Sequence, residues 1–257
     1  MTLLATPALD FKIRALPVYE PIRQHTDDER YYVTPLGTCR SVTTVLSRSK
    51  DQTWIAEWRE RIGAEQADFI RDTAAFRGNT MHQSIEDYFL KGIKEPPWCM
   101  LCSPYWNSIK PFILKKVRHV VALEGAVWHP RRYAGAFDCI AYLNGDDDQP
   151  TLLDWKTADK EVKPSKMYDY TLQCAAYVKA ANYVYRAQGL NITRARVCVA
   201  MKDSKVQFEV LDEDALDQLF QHFIARLENV TRNYPPAFDK KQKHKRVLRA
   251  ASFINAR

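Results

Sequence analysis

No apolar run in these 257 residues approaches the roughly 20 needed to cross a bilayer as a helix, which excludes a membrane-embedded role of that kind. The N-terminus also lacks the apolar core of a secretory leader. Its acidic Asp10 and Glu20, set among several prolines, do not suit an organellar transit peptide, so the expected location is cytoplasmic. Cysteine is sparse and scattered, at positions 39, 99, 102, 139, 174 and 198. Only Cys99 and Cys102 have Cys-x-x-Cys spacing and no second pair accompanies them, which gives a structural zinc site little support. Cys139, Cys174 and Cys198 lie in apolar stretches and read as buried, reduced small hydrophobes. No internal repeat is evident. What is present, 46% hydrophobic and 27% charged residues, is the composition of a soluble globular chain able to bury a sizeable core as one large domain or two small ones.

The formal charge of +7 is unevenly placed. From Asp239 to Arg257 seven lysines and arginines face a single aspartate, so the tail holds +6 and the body is nearly neutral. A basic tail on a neutral body suits contact with a polyanion such as DNA, and it equally suits a solvated terminus.

Pattern divides the chain into four stretches. Residues 1–38, with Pro7, Pro17, Pro21 and Pro35 and no clear period, read as an extended arm. Residues 39–117 read as helical: Trp54, Ile55, Trp58 and Ile62 recur at helical spacing, and the style continues from Ala64 to Phe76. Gly78 to Leu90 forms an amphipathic helix on which His82 and Glu86 share a face, and Ser103-Pro104 opens another to about Val117. The β-branched run from Ser41 to Ser47 fits either a short helix or a strand. Residues 118–234 alternate strands and helices. Val120 to Trp128 and Tyr133 to Leu143 read as strands, and Pro164 stops regular structure. A helix follows from Tyr168, then a hairpin of 196–201 with 206–211, then a helix capped by Asp212. Residues 235–257 are the basic tail.

The stretch from Gly135 to Lys156 organises these elements. Two apolar runs flank a polar loop containing Asn144-Gly145, which predicts a β-hairpin. Folding back there brings Asp138 near Asp154 and Lys156, and the last two share a strand face because side chains alternate with period 2. Paired carboxylates suit a hard cation such as Mg²⁺, and a neighbouring lysine can steady a phosphoryl group or its attacking water. Glu124, a charge inside an apolar run, falls near Asp138 if its strand pairs with 133–143. His82 is a further candidate ligand, and Gln173 and Tyr177, four apart on one helix, could hold a phosphate or a base.

The order Gly78-x-x-x-His82, Gly135-x-x-Asp138, Asp154-x-Lys156, Gln173-x-x-x-Tyr177 resembles the PD-(D/E)XK nuclease superfamily and, within it, the RecB-type branch. Through Val42-Thr43-x-Val45-Leu46, Trp58-Arg59, Glu124-Gly125-Ala126-Val127 and Asp154-Trp155-Lys156-Thr157 the likeness extends to the mitochondrial genome maintenance exonucleases and related phage exonucleases, over roughly residues 40–230. The resemblance implies an α/β fold with a restriction-endonuclease-like core, a central mixed five-stranded sheet flanked by helices, and an N-terminal helical region. It also implies a metal-dependent DNA exonuclease that prefers single-stranded ends. Asp138, Asp154 and the backbone carbonyl of Trp155 would hold Mg²⁺ or Mn²⁺, with His82 as a ligand or a phosphate guide and Lys156 positioning the attacking water. Gln173 and Tyr177 would hold the strand. Glu124 would either support these ligands from behind or join a second metal site, and the helices from Trp54 to Phe76 would arch over the strand.

Two departures qualify the likeness. Phe137, rather than proline, precedes Asp138, and only Cys198 follows Cys174, so the four-cysteine iron–sulfur cluster of some branch members is not expected. The N-terminus favours a phage or bacterial enzyme in a cell's cytoplasm, the host's if phage-encoded, working beside recombination or replication proteins and no membrane. Two other readings stand beside this one: an endonuclease of the same fold cutting structures or sites, and a non-catalytic nucleic-acid-binding protein.

Overall fold

The computed structural model describes residues 16, 19, 22–26, 29–51, 53–92, 100–146 and 148–235. The basic tail from 236 onward, and Cys99 of the Cys-x-x-Cys pair, lie outside them. In chain order the strands and helices are β1 (Ile22–Thr26), β2 (Glu29–Thr34), β3 (Gly37–Ser41), α1 (Val42–Arg48), α2 (Thr53–Ile62), α3 (Ala64–Lys91) and α4 (Ser103–Lys116). Then come β4 (Val117–Leu123), β5 (Ala126–His129), β6 (Tyr133–Ala136), β7 (Cys139–Leu143), β8 (Pro150–Ala158), α5 (Pro164–Val184), β9 (Arg194–Met201), β10 (Val206–Leu211) and α6 (Glu213–Asn233).

The central sheet has the order β10-β9-β8-β7-β4. It is mixed, because β8 and β9 run parallel while the other neighbours are antiparallel. Helices cover both its faces, which is why β8 reads as a nearly continuous apolar run. Leu152 and Ala158 face a cluster shared with Leu172, Ala175, Phe223 and Leu227 of α5 and α6. Leu153 and Trp155 face the opposite cluster with Met81, Ile85, Trp106 and Ile109 of α3 and α4. Period 2 therefore turns Asp154 and Lys156 toward α5.

A second five-stranded sheet, β1-β2-β3-β6-β5, corrects part of the expected N-terminal arm. Residues 22–41 form an antiparallel meander that joins β6 in parallel through Arg40↔Tyr133 and Ser41↔Ala134. Pro35 does not mark loose chain: it sits in the β2–β3 turn, closed by Gly37 at φ +93°. The stretch from Ser41 to Ser47 is resolved as helix. Ser41 accepts from the Thr44 N–H at 3.0 Å, and burial of Val42, Val45 and Leu46 overrides the strand preference of β-branched residues. Two other helix readings change. α3 is one helix of 28 residues passing through Gly78, and α5 begins at Pro164 because proline fits the first helical position, where its missing N–H costs nothing.

The strands read as Val120–Trp128 and Tyr133–Leu143 are each broken in two. The chain leaves the central sheet after Leu123 and enters the second at Ala126, and it crosses back between Ala136 and Cys139. The expected pairing survives, with β4 on β7 and β5 on β6. The paired breaks put Glu124 and Asp138 opposite one another, joined by Glu124 N–H to Asp138 O and Phe137 N–H to Gly125 O, both at 3.0 Å.

Candidate functional site

At the break the backbone ladder between β7 and β8 ends with Cys139↔Leu153. The Trp155 N–H, left without a strand partner there, is taken by Asp138 Oδ2 at 2.7 Å. The crossover thus fixes one oxygen of Asp138 and leaves Oδ1 3.7 Å from His82 Nδ1. Glu124 stands in the left-handed region at φ +49°, a conformation that costs a non-glycine residue free energy, and it reaches His82 Nδ1 with Oε1 at 3.5 Å. A side chain cannot follow it: a Cβ on Gly125 would lie 2.4 Å from Phe137 Cζ.

His82 arrives from α3, one residue after Met81, which is buried against the central sheet. Its Nε2 meets the Trp155 carbonyl at 2.9 Å. Burial alone would lower its pKa, but the Asp138 carboxylate and the bond to Glu124 outweigh that and push it up to about 9. His82, Glu124 and Asp138 each offer a ligand atom, and all three lie within 4.8 Å of one another. Asp154 is not part of that trio. It lies beside it, fully buried, with Oδ2 against the Lys156 ammonium and Oδ1 without a hydrogen-bond partner among the described residues. Burial raises its pKa, Asp138 adds to the rise and Lys156 opposes it; the ammonium in turn is held above its usual value against burial by Asp154 and Asp138.

These donors fit a divalent metal ion. An imidazole that gives up its proton to ligate, the Glu124 and Asp138 carboxylates and the Trp155 carbonyl converge, with buried Asp154 Oδ1 beside them free of the Lys156 ammonium. The sequence-predicted residues His82, Glu124, Asp138, Asp154, Trp155 and Lys156 are therefore brought together. Gln173 and Tyr177 are joined by a 3.3 Å hydrogen bond, but they differ in access. Tyr177 is only 3% exposed, its ring against Gly135, where a Cβ would lie 2.5 Å away; Gln173 is half-buried and reaches a surface cavity.

Two residues escaped the sequence reading. Tyr170 places its ring 5.3 Å from the Lys156 ammonium. Its signal was spacing, since 170, 173 and 177 form one helical stripe. Arg77 ties α3 to the end of β8: Nη1 donates to Asp159 Oδ1 at 2.7 Å and to the Tyr105 hydroxyl at 3.1 Å, and Nε to Thr157 Oγ1 at 3.3 Å. Only its place beside Gly78 could have pointed to it.

A mixed sheet that delivers carboxylates and a buried lysine to a histidine-bearing helix forms a candidate site for a divalent cation. The chain belongs to the PD-(D/E)XK nuclease superfamily, whose model matches residues 98–242, more than half of it. A solved structure titled "Crystal structure of SSO0001" aligns at 14% identity over 79% of this chain and 80% of its own, with a TM-score of 0.38. No curated protein matches the sequence. Nucleases of this superfamily use divalent metals. Among the described residues no helix is long and apolar enough to cross a membrane.

Proposed function

We propose that this protein is a Mg²⁺- or Mn²⁺-dependent exonuclease that hydrolyses DNA from its ends and prefers single strands, in the manner of the RecB-type branch. The observation that carries the reading is the His82–Glu124–Asp138 trio standing beside the enclosed Asp154–Lys156 pair. Asp138, Asp154, the Trp155 carbonyl and His82 would hold the ion, with Glu124 completing the set. When bound, the ion supplies positive charge opposite the negative charge that develops on the phosphodiester. Lys156, kept protonated by its carboxylates, donates hydrogen bonds to the attacking water and to a phosphate oxygen. Asp138 orients Trp155 through its backbone N–H, and the Arg77 contacts hold α3 so that His82 faces the site. Gln173 is the member of its pair with access to a strand.

The preference for single strands draws support from α2 and the first half of α3. α2 buries no residue and α3 buries only Ala67 before Met81, while Trp54, Phe69, Ile70 and Phe76 stand exposed. At 28 residues α3 is about 42 Å long, enough for its free half to overhang a threaded strand. Phage or bacterial DNA processing in a cytoplasm is the setting that fits.

The test is end-labelled linear and circular single-stranded DNA incubated with Mg²⁺ or Mn²⁺ beside an Asp154→Ala control. Shortening of the linear strand alone, absent in the variant, is the expected result. Cutting of the circle would make the protein an endonuclease, and cleavage of neither under both metals would leave a binding protein on a nuclease scaffold.

A further inference from the structure

Beside Lys156, on the α5 side of β8, the structure has a cavity of about 270 Å³ that the catalytic reading leaves unused. It opens between the end of α1, the start of α2 and the first half of α5. Its apolar walls include Leu46, Trp54, Ile55 and Tyr170, and its polar rim includes Lys50 and Gln173. We propose that this cavity binds one unpaired nucleobase of the strand whose phosphate lies at the carboxylates, with Trp54 and Tyr170 as its aromatic surfaces and Gln173 as the group that meets the base edge. This rests on the nuclease reading for its substrate and adds to it a site that selects for single strands.

Four observations carry the assignment. The first is position: Tyr170 lines the cavity and its ring centre lies 5.3 Å from the Lys156 ammonium, so a base held there adjoins the lysine that the nuclease reading sets at the phosphate. The second is size, because 270 Å³ falls below the usual range for larger organic ligands and suits a single flat ring system. The third is Trp54, 60% exposed on a helix that buries nothing. An indole left in water gains most from a planar partner, and base–aromatic stacking tolerates any base because each has a π face. The fourth is the polar rim. The Gln173 amide keeps its carbonyl oxygen and the N–H not given to Tyr177 for a base edge, and the rim carries Lys50, paired with Asp169, beside Asp51, so the mouth is polar rather than cationic. A base within a duplex has its edge and both faces occupied and cannot enter, so the cavity discriminates by pairing state.

The experiment uses the full chain with Asp154→Asn, so that no strand is cut, and a series of single-stranded oligonucleotides each bearing one 2-aminopurine at successive distances from either end. Quenching of the fluorescence is expected at one position in the series, reversed by Trp54→Ala, kept by Trp54→Phe, and unchanged by Phe208→Ala, a substitution at an exposed aromatic on the edge strand β10. An abasic residue at that position is expected to weaken binding roughly tenfold with Trp54 present and hardly at all in Trp54→Ala. Quenching that ignores Trp54, an abasic penalty equal in both proteins, or no binding of single strands would overturn the proposal. Because the readout is binding without cleavage, a wild-type protein that fails to cut DNA yet shows this pattern would sink the nuclease reading and leave the base site standing.

Discussion

Gly125→Ala tests whether the paired breaks between the two sheets are what place the carboxylates. The new methyl carbon would lie 2.4 Å from Phe137 Cζ and 2.6 Å from Cε1, with the Tyr185 hydroxyl at 3.3 Å. Ordinary carbon contacts are about 3.5–4.0 Å, so the ring must retreat by about 1 Å. Phe137 is fully buried, and its backbone N–H is bonded to the Gly125 carbonyl, so the ring cannot withdraw without moving the backbone next to Asp138. Overpacking of this kind costs ~1–3 kcal/mol, offset by ~0.4–1 kcal/mol from the stiffer unfolded chain, for a net loss of about 1–2 kcal/mol. At this chain length that is a fall of about 3–6 °C in Tm. A 1 Å displacement of a group that positions the reaction lowers kcat about 100-fold. Gly78→Ala is the matched control, since its Cβ would meet nothing nearer than Thr157 Oγ1 at 4.0 Å inside α3, and it is expected to stabilise by about 1 kcal/mol. Thermal melts and Mg²⁺-dependent cleavage of labelled single strands read both effects. A Gly125→Ala protein as stable and as active as wild type would refute the account of the crossover.

Three other outcomes are expected. Mn²⁺ or Mg²⁺ at 100 times its Kd should stabilise the wild-type protein by about 2.7 kcal/mol, reversed by chelator, and should shift Asp138→Asn and His82→Ala far less; equal shifts in all three would place the ion elsewhere. Arg77→Gln removes the contacts to Asp159, Tyr105 and Thr157 and should cost about 1–2 kcal/mol while lowering kcat with little change in KM; an unchanged kcat would mean that the tie does not position His82. His129 is held neutral, its pKa lowered to about 4 by burial and by Arg131 and Lys179, with Nδ1 accepting the Arg131 N–H at 3.3 Å. The unfolded chain takes up a proton near pH 6.5 and the folded one not until about 4, so stability should fall as pH drops through that window and level off below it. His129→Gln should flatten that part of the pH profile of urea midpoints, and an unchanged slope would assign it to other groups.

Most of the central sheet was legible because its signals are local. The 139–158 hairpin, the 194–211 hairpin, the Asp212 cap and the apolar stripe of α6 follow from turn chemistry, period and capping, which act over a few residues. The second sheet was not legible. Its meander hides behind prolines that read as loose chain, and its join to β6 pairs Arg40 with Tyr133, more than 90 positions away.

The sequence by itself determined which residues could carry the chemistry, since the spacing of Asp154 and Lys156 on one strand face and the order of the four motifs need no tertiary contact. Only the tertiary structure decided how they meet. His82, Glu124, Asp138 and Asp154 come from a helix, two breaks between sheets and a buried strand, and nothing near any one of them in sequence requires the others. Their convergence follows from packing α3 against the central sheet, held there by Arg77, and from a chain that crosses between two sheets twice at the same level. Tyr170 and Trp54 are brought to one cavity by the same packing, because side chains far apart along a chain become neighbours only when long-range burial outweighs the entropy of ordering the segments between them.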